Sequence, residues 1–299
     1  MNQVSITRLK KPLSALLLLG LPFSTQSLQL TDSTELILNG SWFQYDYEIS
    51  SPNRTEQIPV SGTQTTVGIA WTDWSFSWSP LSASGDLRFA VDDGVAEADY
   101  QSNADTLSIT RYFSPGYVRT SYTQSDSNLD IRLSDGRPFN DKQQESTDLS
   151  LEAGKSWLIG NWNTGVYGGI IRSAVSTEQR LATDNALVQQ QEDVTEHYVA
   201  TGVSASYYWE TIHLIPGIGL DYQRQISSDG NNQTELLGQR GRPIGQTSGS
   251  SQSSGLVNWS AVYATLDYEF SHLGISLYYQ YELNEPNQSY SNIAFYLLF

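Results

Sequence analysis

Residues 289–299 read Ser-Tyr-Ser-Asn-Ile-Ala-Phe-Tyr-Leu-Leu-Phe. Ile293, Phe295, Leu297 and Phe299 share one parity, Asn292, Ala294 and Tyr296 the other, and Leu298 is the single apolar intruder. Side chains alternate across a β-strand with period two, so this is a strand with one strongly apolar face. The chain stops there, on an aromatic ring, where a water-soluble domain usually carries polar, frayed residues. A strand this greasy is stable when both its edges are hydrogen-bonded in a closed sheet and its apolar face meets hydrocarbon.

Working outward from that strand, the amino terminus agrees. Arg8, Lys10 and Lys11 precede an apolar run from Leu13 to Phe23, followed by the small residues Ser24, Thr25 and Ser27. A basic start, a short apolar core and a small-residue exit describe an export leader. The run is short for a bilayer-spanning helix, which takes roughly 20 residues. The expected organisation is a cleaved leader over 1–27 and a single β-barrel over 28–299, with no passenger segment between them. The chain has no cysteine, which removes disulfides, thiolate metal sites and thiol nucleophiles from consideration. Net charge is −16, and −19 once the three basic residues of the leader are gone. Such acidity excludes a nucleic-acid partner, which demands a basic surface.

Eighteen tyrosines and eight tryptophans sit in alternating runs broken by Gly, Asn, Asp and Pro, the composition of an all-β chain. Twelve strands are expected: Leu36–Ile49, Thr63–Trp78, Gly85–Asp92, Asp105–Phe113, Tyr117–Leu133, Glu145–Lys155, Asn163–Arg172, Glu196–Trp209, Thr211–Ile226, Leu256–Phe270, Leu273–Leu283 and Ser289–Phe299. Connections after even strands are short and those after odd strands mostly long, notably 173–195 and 227–255. Sorting by parity is the mark of a transmembrane antiparallel up-and-down β-barrel with its long loops outside the cell. Both termini then share one rim, which requires an even number of strands. Ten or fourteen satisfy that rule as well as about twelve.

Alternation assigns the faces. Leu87, Phe89 and Val91 oppose Asp86, Arg88 and Asp92; Leu149, Leu151 and Ala153 oppose Asp148, Ser150 and Glu152. Ile218, Leu220 and Tyr222 oppose Gly219, Asp221 and Gln223, and Val262, Leu266 and Tyr268 oppose Tyr263, Asp267 and Glu269. Ionised groups are too costly for an apolar interior, so the charged face is expected to line a lumen. The candidate pore-lining residues are Arg88, Arg119, Asp148, Glu152, Asp221, Asp267 and Glu282. Trp74, Trp78, Tyr112, Phe113, Tyr117, Trp157, Trp162, Trp209 and Phe270 are expected to form an aromatic girdle at the short-turn rim, with Tyr45, Tyr47, Tyr279, Tyr281 and Tyr290 at the other.

Signals for catalysis are poor. Of the three histidines, His213 is expected in the lumen near Asp221 and opposite Ser204 or Ser206, the best available setting for a base. Barrel lipases and deacylases resemble one another in carrying a serine two residues after a histidine, but here those positions are Val199, Ile215 and Gly274. Glu192 and Asp193 near His197 are more simply solvated charges. No metal site or other cofactor is expected, and the reading is of a non-enzyme.

An export leader, about twelve strands and an alternating aromatic C-terminal strand resemble the translocator domain of autotransporters, and specifically a solitary β-domain without a passenger. That resemblance implies an integral outer-membrane protein with a structural, surface or small-pore role. It implies contact with outer-membrane lipid and lipopolysaccharide, and delivery by the barrel-assembly machinery through the strand ending at Phe299. The competing expectation is a cation-preferring porin, with a barrel hydrolase a distant third. Large inward residues such as Trp259, Tyr263 and Tyr278 favour a filled lumen, and inward Gly217, Gly219 and Gly274 an open one.

Overall fold

The computed structural model describes residues 27–31, 34–51, 54–91, 94–114, 116–134, 138–182, 187–237, 243–250, 258–269, 273–284 and 289–297. The leader expected over 1–27, apart from Ser27, lies outside these residues, as do Phe270, His272 and Phe299. The described residues form fourteen strands: β1 (Ser27–Thr31), β2 (Thr34–Ser51), β3 (Arg54–Trp71), β4 (Trp74–Val91), β5 (Gly94–Phe113), β6 (Gly116–Leu133), β7 (Pro138–Ile159), β8 (Trp162–Ala182), β9 (Leu187–Tyr207), β10 (Leu214–Leu237), β11 (Pro243–Ser250), β12 (Asn258–Glu269), β13 (Leu273–Glu282) and β14 (Ser289–Leu297). All pairings are antiparallel, and β14 pairs β2 from Asn39↔Tyr296 to Tyr45↔Tyr290, closing a twelve-stranded up-and-down barrel. Outside the ring, β1 pairs the start of β2 and β11 pairs the far end of β10.

The expected strand number holds, but most boundaries move: residues 50–62, 93–104 and 134–144, between the expected strands, are also largely strand, and 79–84 lies inside β4. The run Thr63–Trp78 is interrupted by a two-residue turn at Thr72 and Asp73, with Thr72 at φ +52°. The outward residues are odd-numbered before the turn (Val67, Ile69, Trp71) and even-numbered after it (Trp74, Phe76, Trp78), a phase slip of one residue that marks the turn. The loops expected over 173–195 and 227–255 are largely strand, because β8–β9 and β10–β11 continue as long hairpins.

Those extensions carry the main correction. On β5 the outward residues are Leu107, Ile109 and Phe113 near the short-turn rim, then Asp105, Asn103, Gln101, Asp99 and Glu97 beyond. The inward residues run oppositely: Thr110, Ser108, Thr106 and Ser102, then Tyr100, Ala98 and Ala96. The same inversion occurs on β4, where Trp74, Phe76 and Trp78 point outward but farther along Leu81, Leu87, Phe89 and Val91 pack inward. Arg88 therefore points away from the lumen, 76% exposed and paired with Glu97 at 2.9 Å. Its assignment as pore-lining is corrected: above the belt, water surrounds the wall, and the apolar parity must turn inward.

An exposed apolar belt encircles the lower barrel, a surface far larger than a water-soluble monomer tolerates. On β7 it runs from Leu149 to Ile159, about 33 Å of strand and about 25 Å of height at the usual tilt. Trp74, Phe113, Trp157, Trp162 and Trp209 mark its short-turn margin. Trp42 and Trp78 instead mark the upper margin, the Trp78 indole donating to Asp105 at 2.8 Å. Tyr45, Tyr47 and Tyr290, expected on the outer girdle, belong to the inward core, as Tyr117 belongs to the lumen.

With no native cysteine, single-cysteine nitroxides on β5 test the inversion. Positions 107 and 109 are expected to collide with oxygen dissolved in lipid, and 97, 99 and 101 with a water-soluble relaxer. Oxygen accessibility continuing up to 97 overturns it.

Candidate functional site in the barrel lumen

Two layers fill the interior. The upper layer is an apolar core of Phe43, Tyr45, Ile58, Val60, Tyr100, Leu129 and Ile131, with Tyr47 stacked on Tyr100 at 4.3 Å between centroids. Because β2 and β5 are three strands apart, that contact joins the wall to itself across the interior. A row of rings continues over the closing seam, Phe43 to Tyr290 at 5.8 Å, Tyr290 to Tyr278 at 5.9 Å and Tyr278 to Tyr263 at 5.5 Å.

Below it lies the polar layer. Hydroxyl pairs bridge neighbouring strands: Thr66 with Ser79, Thr106 with Thr123, Ser108 with Ser121, and Ser125 with Ser146. Each satisfies two polar groups without adding charge. The ionisable residues then meet tyrosines. The Tyr117 hydroxyl donates to Glu152 Oε1 at 2.6 Å, and Arg119 approaches the same oxygen at 3.2 Å. The Tyr167 hydroxyl donates to Asp221 Oδ1 at 2.8 Å. Glycine makes room for these rings: a Cβ on Gly202 falls 2.2 Å from Tyr167, and one on Gly219 falls 2.1 Å from Tyr263. Either substitution forces an aromatic side chain to move.

Of the seven residues expected to line a pore, Arg119, Asp148, Glu152, Asp221, Asp267 and Glu282 do face the interior, and Arg88 does not. Arg119 and Glu152 gather with Tyr117, and Asp221 pairs separately with Tyr167. Asp148 lies apart from both, opposite Ser173; Asp267 faces Ser276 on the next strand, and Glu282 is buried near the top of β13. Sequence reasoning missed Glu196, which accepts from Tyr198 at 2.5 Å and from Gln225 Nε2 at 3.0 Å. It missed Lys142 too; both lie in or beside segments read as loops. Lys142 is buried in the extension above the belt, where desolvation lowers its ammonium to about 8 against the opposing influence of Glu192.

His213 is not in the lumen. It occupies the turn between β9 and β10 with φ +52°, exposed, its Nδ1 3.2 Å from the Tyr208 hydroxyl. His197 faces outward at the upper edge of the belt, its Nδ1 3.0 Å from Ser227 Oγ. Among the described residues no cluster of metal-binding side chains occurs.

A closed twelve-stranded barrel with an apolar belt and a packed, polar lumen defines a transmembrane barrel of the outer-membrane type. Comparison with solved structures places it more narrowly. The fold is similar to the translocator domain of the autotransporter NalP from Neisseria meningitidis, with a TM-score of 0.57, 12% identity and coverage of 90% of each chain. It is similar to the transport unit of the autotransporter AIDA-I from Escherichia coli, with a TM-score of 0.51, 11% identity and coverage of 96% of this chain and 97% of that one. The β-domain of the Bordetella autotransporter BrkA gives 0.50 at 13% identity, covering 90% of this chain and all of that one. No protein-family model matches the sequence, and no curated protein is similar to it. The likeness is one of architecture: this chain has the fold of an autotransporter β-domain.

Replacing Tyr167 with Phe takes a hydroxyl donor from a buried carboxylate and is expected to lower stability by about 1–3 kcal/mol, read by urea unfolding in vesicles. Lys142 sets a pH dependence. Between about 8 and 10.5 only the unfolded chain holds its proton, so stability rises with pH across that window. Lys142→Met is expected to flatten that rise.

Proposed function

We propose that the protein is an integral outer-membrane barrel whose lumen is filled by its own side chains, and that it serves as a structural or surface element, not as an open pore. One observation carries this reading. Five polar side chains on the lumenal face are out of reach of water: Asp148 is 0% exposed, Gln225 and Gln280 1%, Asp221 4% and Glu282 5%. Groups lining an aqueous channel stay wet. The apolar layer above them, held by the Tyr47–Tyr100 stack, supports the same conclusion. The tall polar outer face of β2–β10 then provides the surface on which contacts at the cell exterior are made.

The reading includes no catalytic step. His197 bonds a serine hydroxyl but has no carboxylate partner among the described residues to orient its ring, as a base that activates serine requires. His213 has only a tyrosine. Export by a leader over 1–27 and delivery by the assembly machinery belong to the same proposal, supported by the sequence pattern at each end.

Planar-bilayer recording tests it: insertion is expected without discrete conductance steps. Steady steps with cation preference overturn the filled lumen in favour of a narrow acidic pore.

A further inference from the structure

The upper margin of the lipid belt is not chemically uniform. Around most of it, the last outward apolar residue of each strand is followed by an uncharged polar or acidic group: Thr65 after Val67, Asp105 after Leu107, Gln124 after Tyr122, Thr147 after Leu149. On two adjacent strands it is followed by a base instead, Ile170 by Arg172 on β8 and Val199 by His197 on β9. On β10 a third base, Arg224, stands between the exposed Tyr222 and Ile226 beside the bulge at Gln225–Ser227. Arg172 lies directly opposite His197, and Arg224 opposite Val199, the next outward position of the same strand. Neighbouring strands are about 4.8 Å apart, so the three side chains share a patch roughly 10 Å wide.

Their pairing sets them apart. Above the belt, Arg88 is paired with Glu97, Arg132 with Asp130 at 2.5 Å and Arg180 with Glu178 at 2.7 Å. At the opposite rim Arg111 lies over Trp74 and Lys155 over Trp157. In a chain with twice as many acidic as basic residues, exposed Arg172 and Arg224 have no carboxylate partner among the described residues. A guanidinium at the edge of hydrocarbon reaches for the headgroup layer and finds its best complement in a phosphate, which it grips bidentately. Ser227 holds His197 through Nδ1, leaving Nε2 for a further partner.

The next row up forms an open groove of about 630 Å³ lined by Glu145, Thr147, Ser176, Asp193, Thr195 and Asp229. Its hydroxyls and carboxylates suit sugar hydroxyls. Its three acids also repel a freely diffusing anion, so a phosphate lodged beneath them must be held by a lipid anchor. We propose that Arg172, His197 and Arg224 dock the phosphate of a phosphorylated outer-leaflet glycolipid, with the groove receiving its sugar. The inference rests on the barrel being inserted in an outer membrane, as proposed above, and gives the lipid partner a defined site.

The test uses the full chain in detergent, titrated with bisphosphorylated lipid A, phosphatidylglycerol and inorganic phosphate, with bound lipid counted by native mass spectrometry. Wild type is expected to retain lipid A in preference to phosphatidylglycerol. The Arg172→Ala/Arg224→Ala double variant is expected to weaken that binding at least about tenfold, and Arg88→Ala to leave it unchanged. The double exchange R172K/R224K should recover only part, because charge returns without the bidentate grip. Equal retention by the double alanine variant, with the wild-type mobility shift on boiling intact, overturns the site. Equal binding of phosphatidylglycerol overturns the glycolipid assignment, and displacement of lipid A by millimolar phosphate overturns the lipid anchor. A chain that stays dissolved without detergent and shows no shift on boiling defeats the membrane reading itself, a result distinct from the other three.

Discussion

One level in the structure governs everything above and below it: the line at which the barrel's surroundings change from hydrocarbon to water. Below that line the outside of the wall must be apolar, and the inside is free to be polar because it is sealed from lipid. Above it the outside must be hydrated, and the only way for a sheet to bury apolar surface is inward. The strands β2–β6 cross the line and carry two opposite amphipathic patterns. On β5 the switch falls between Asp105 and Leu107, on β2 beside Trp42 and Phe43. On these two strands no bulge or register slip is needed, because residue type changes while parity does not, whereas β10 has a bulge between Gln225 and Ser227 at this level.

The inversion accounts for the apolar layer in the upper lumen. Turning apolar side chains inward over the upper half of β2–β6 gives a core like that of a soluble β-protein, and a core excludes water. Lower down, tyrosines solve a different problem. Carboxylates facing a poorly hydrated interior need donors; Tyr117 supplies one to Glu152 on the next strand, and Tyr167 reaches over Gly202 of β9 to Asp221 on β10. A phenol donates without bringing a second charge into a region of low polarity. Arg119, already engaged by Glu152, is the one guanidinium on the belt-level lumenal face among the described residues.

The sequence disclosed most of the architecture because lipid imposes a strict alternation. The lower halves of β7, β10, β12, β13 and β14 are enough to assign those strands to the correct faces. Arg88 is misplaced by the same rule: Leu87, Phe89 and Val91 alternate just as a lipid-facing strand does, and parity carries no label for which medium the apolar face meets. The turn at Thr72 and Asp73 lacks both Gly and Pro and shows only as a slip of phase, and the hairpins over 173–195 and 227–255 are hidden because their polar outer residues read as loop. His213 goes astray with its strand boundary. The Tyr–carboxylate pairs depend on which strand lies opposite which, and become legible only once the register is known. The arginines at the belt margin are distinctive only through the absence of acid partners, which a sequence does not reveal.

The seam between β14 and β2 differs from every other long pairing. The β2–β3 ladder runs from Thr34 to Ser51, whereas β2 meets β14 only from Asn39 to Tyr45. Hairpins join residues a few positions apart, but the seam joins Tyr45 to Tyr290, and closing so long a loop costs the most entropy for the fewest bonds. By that measure the seam is the hardest pairing of the ring to close. The stack of Tyr278, Tyr290 and Phe43 lies across that junction and adds ring contacts where the ladder is shortest.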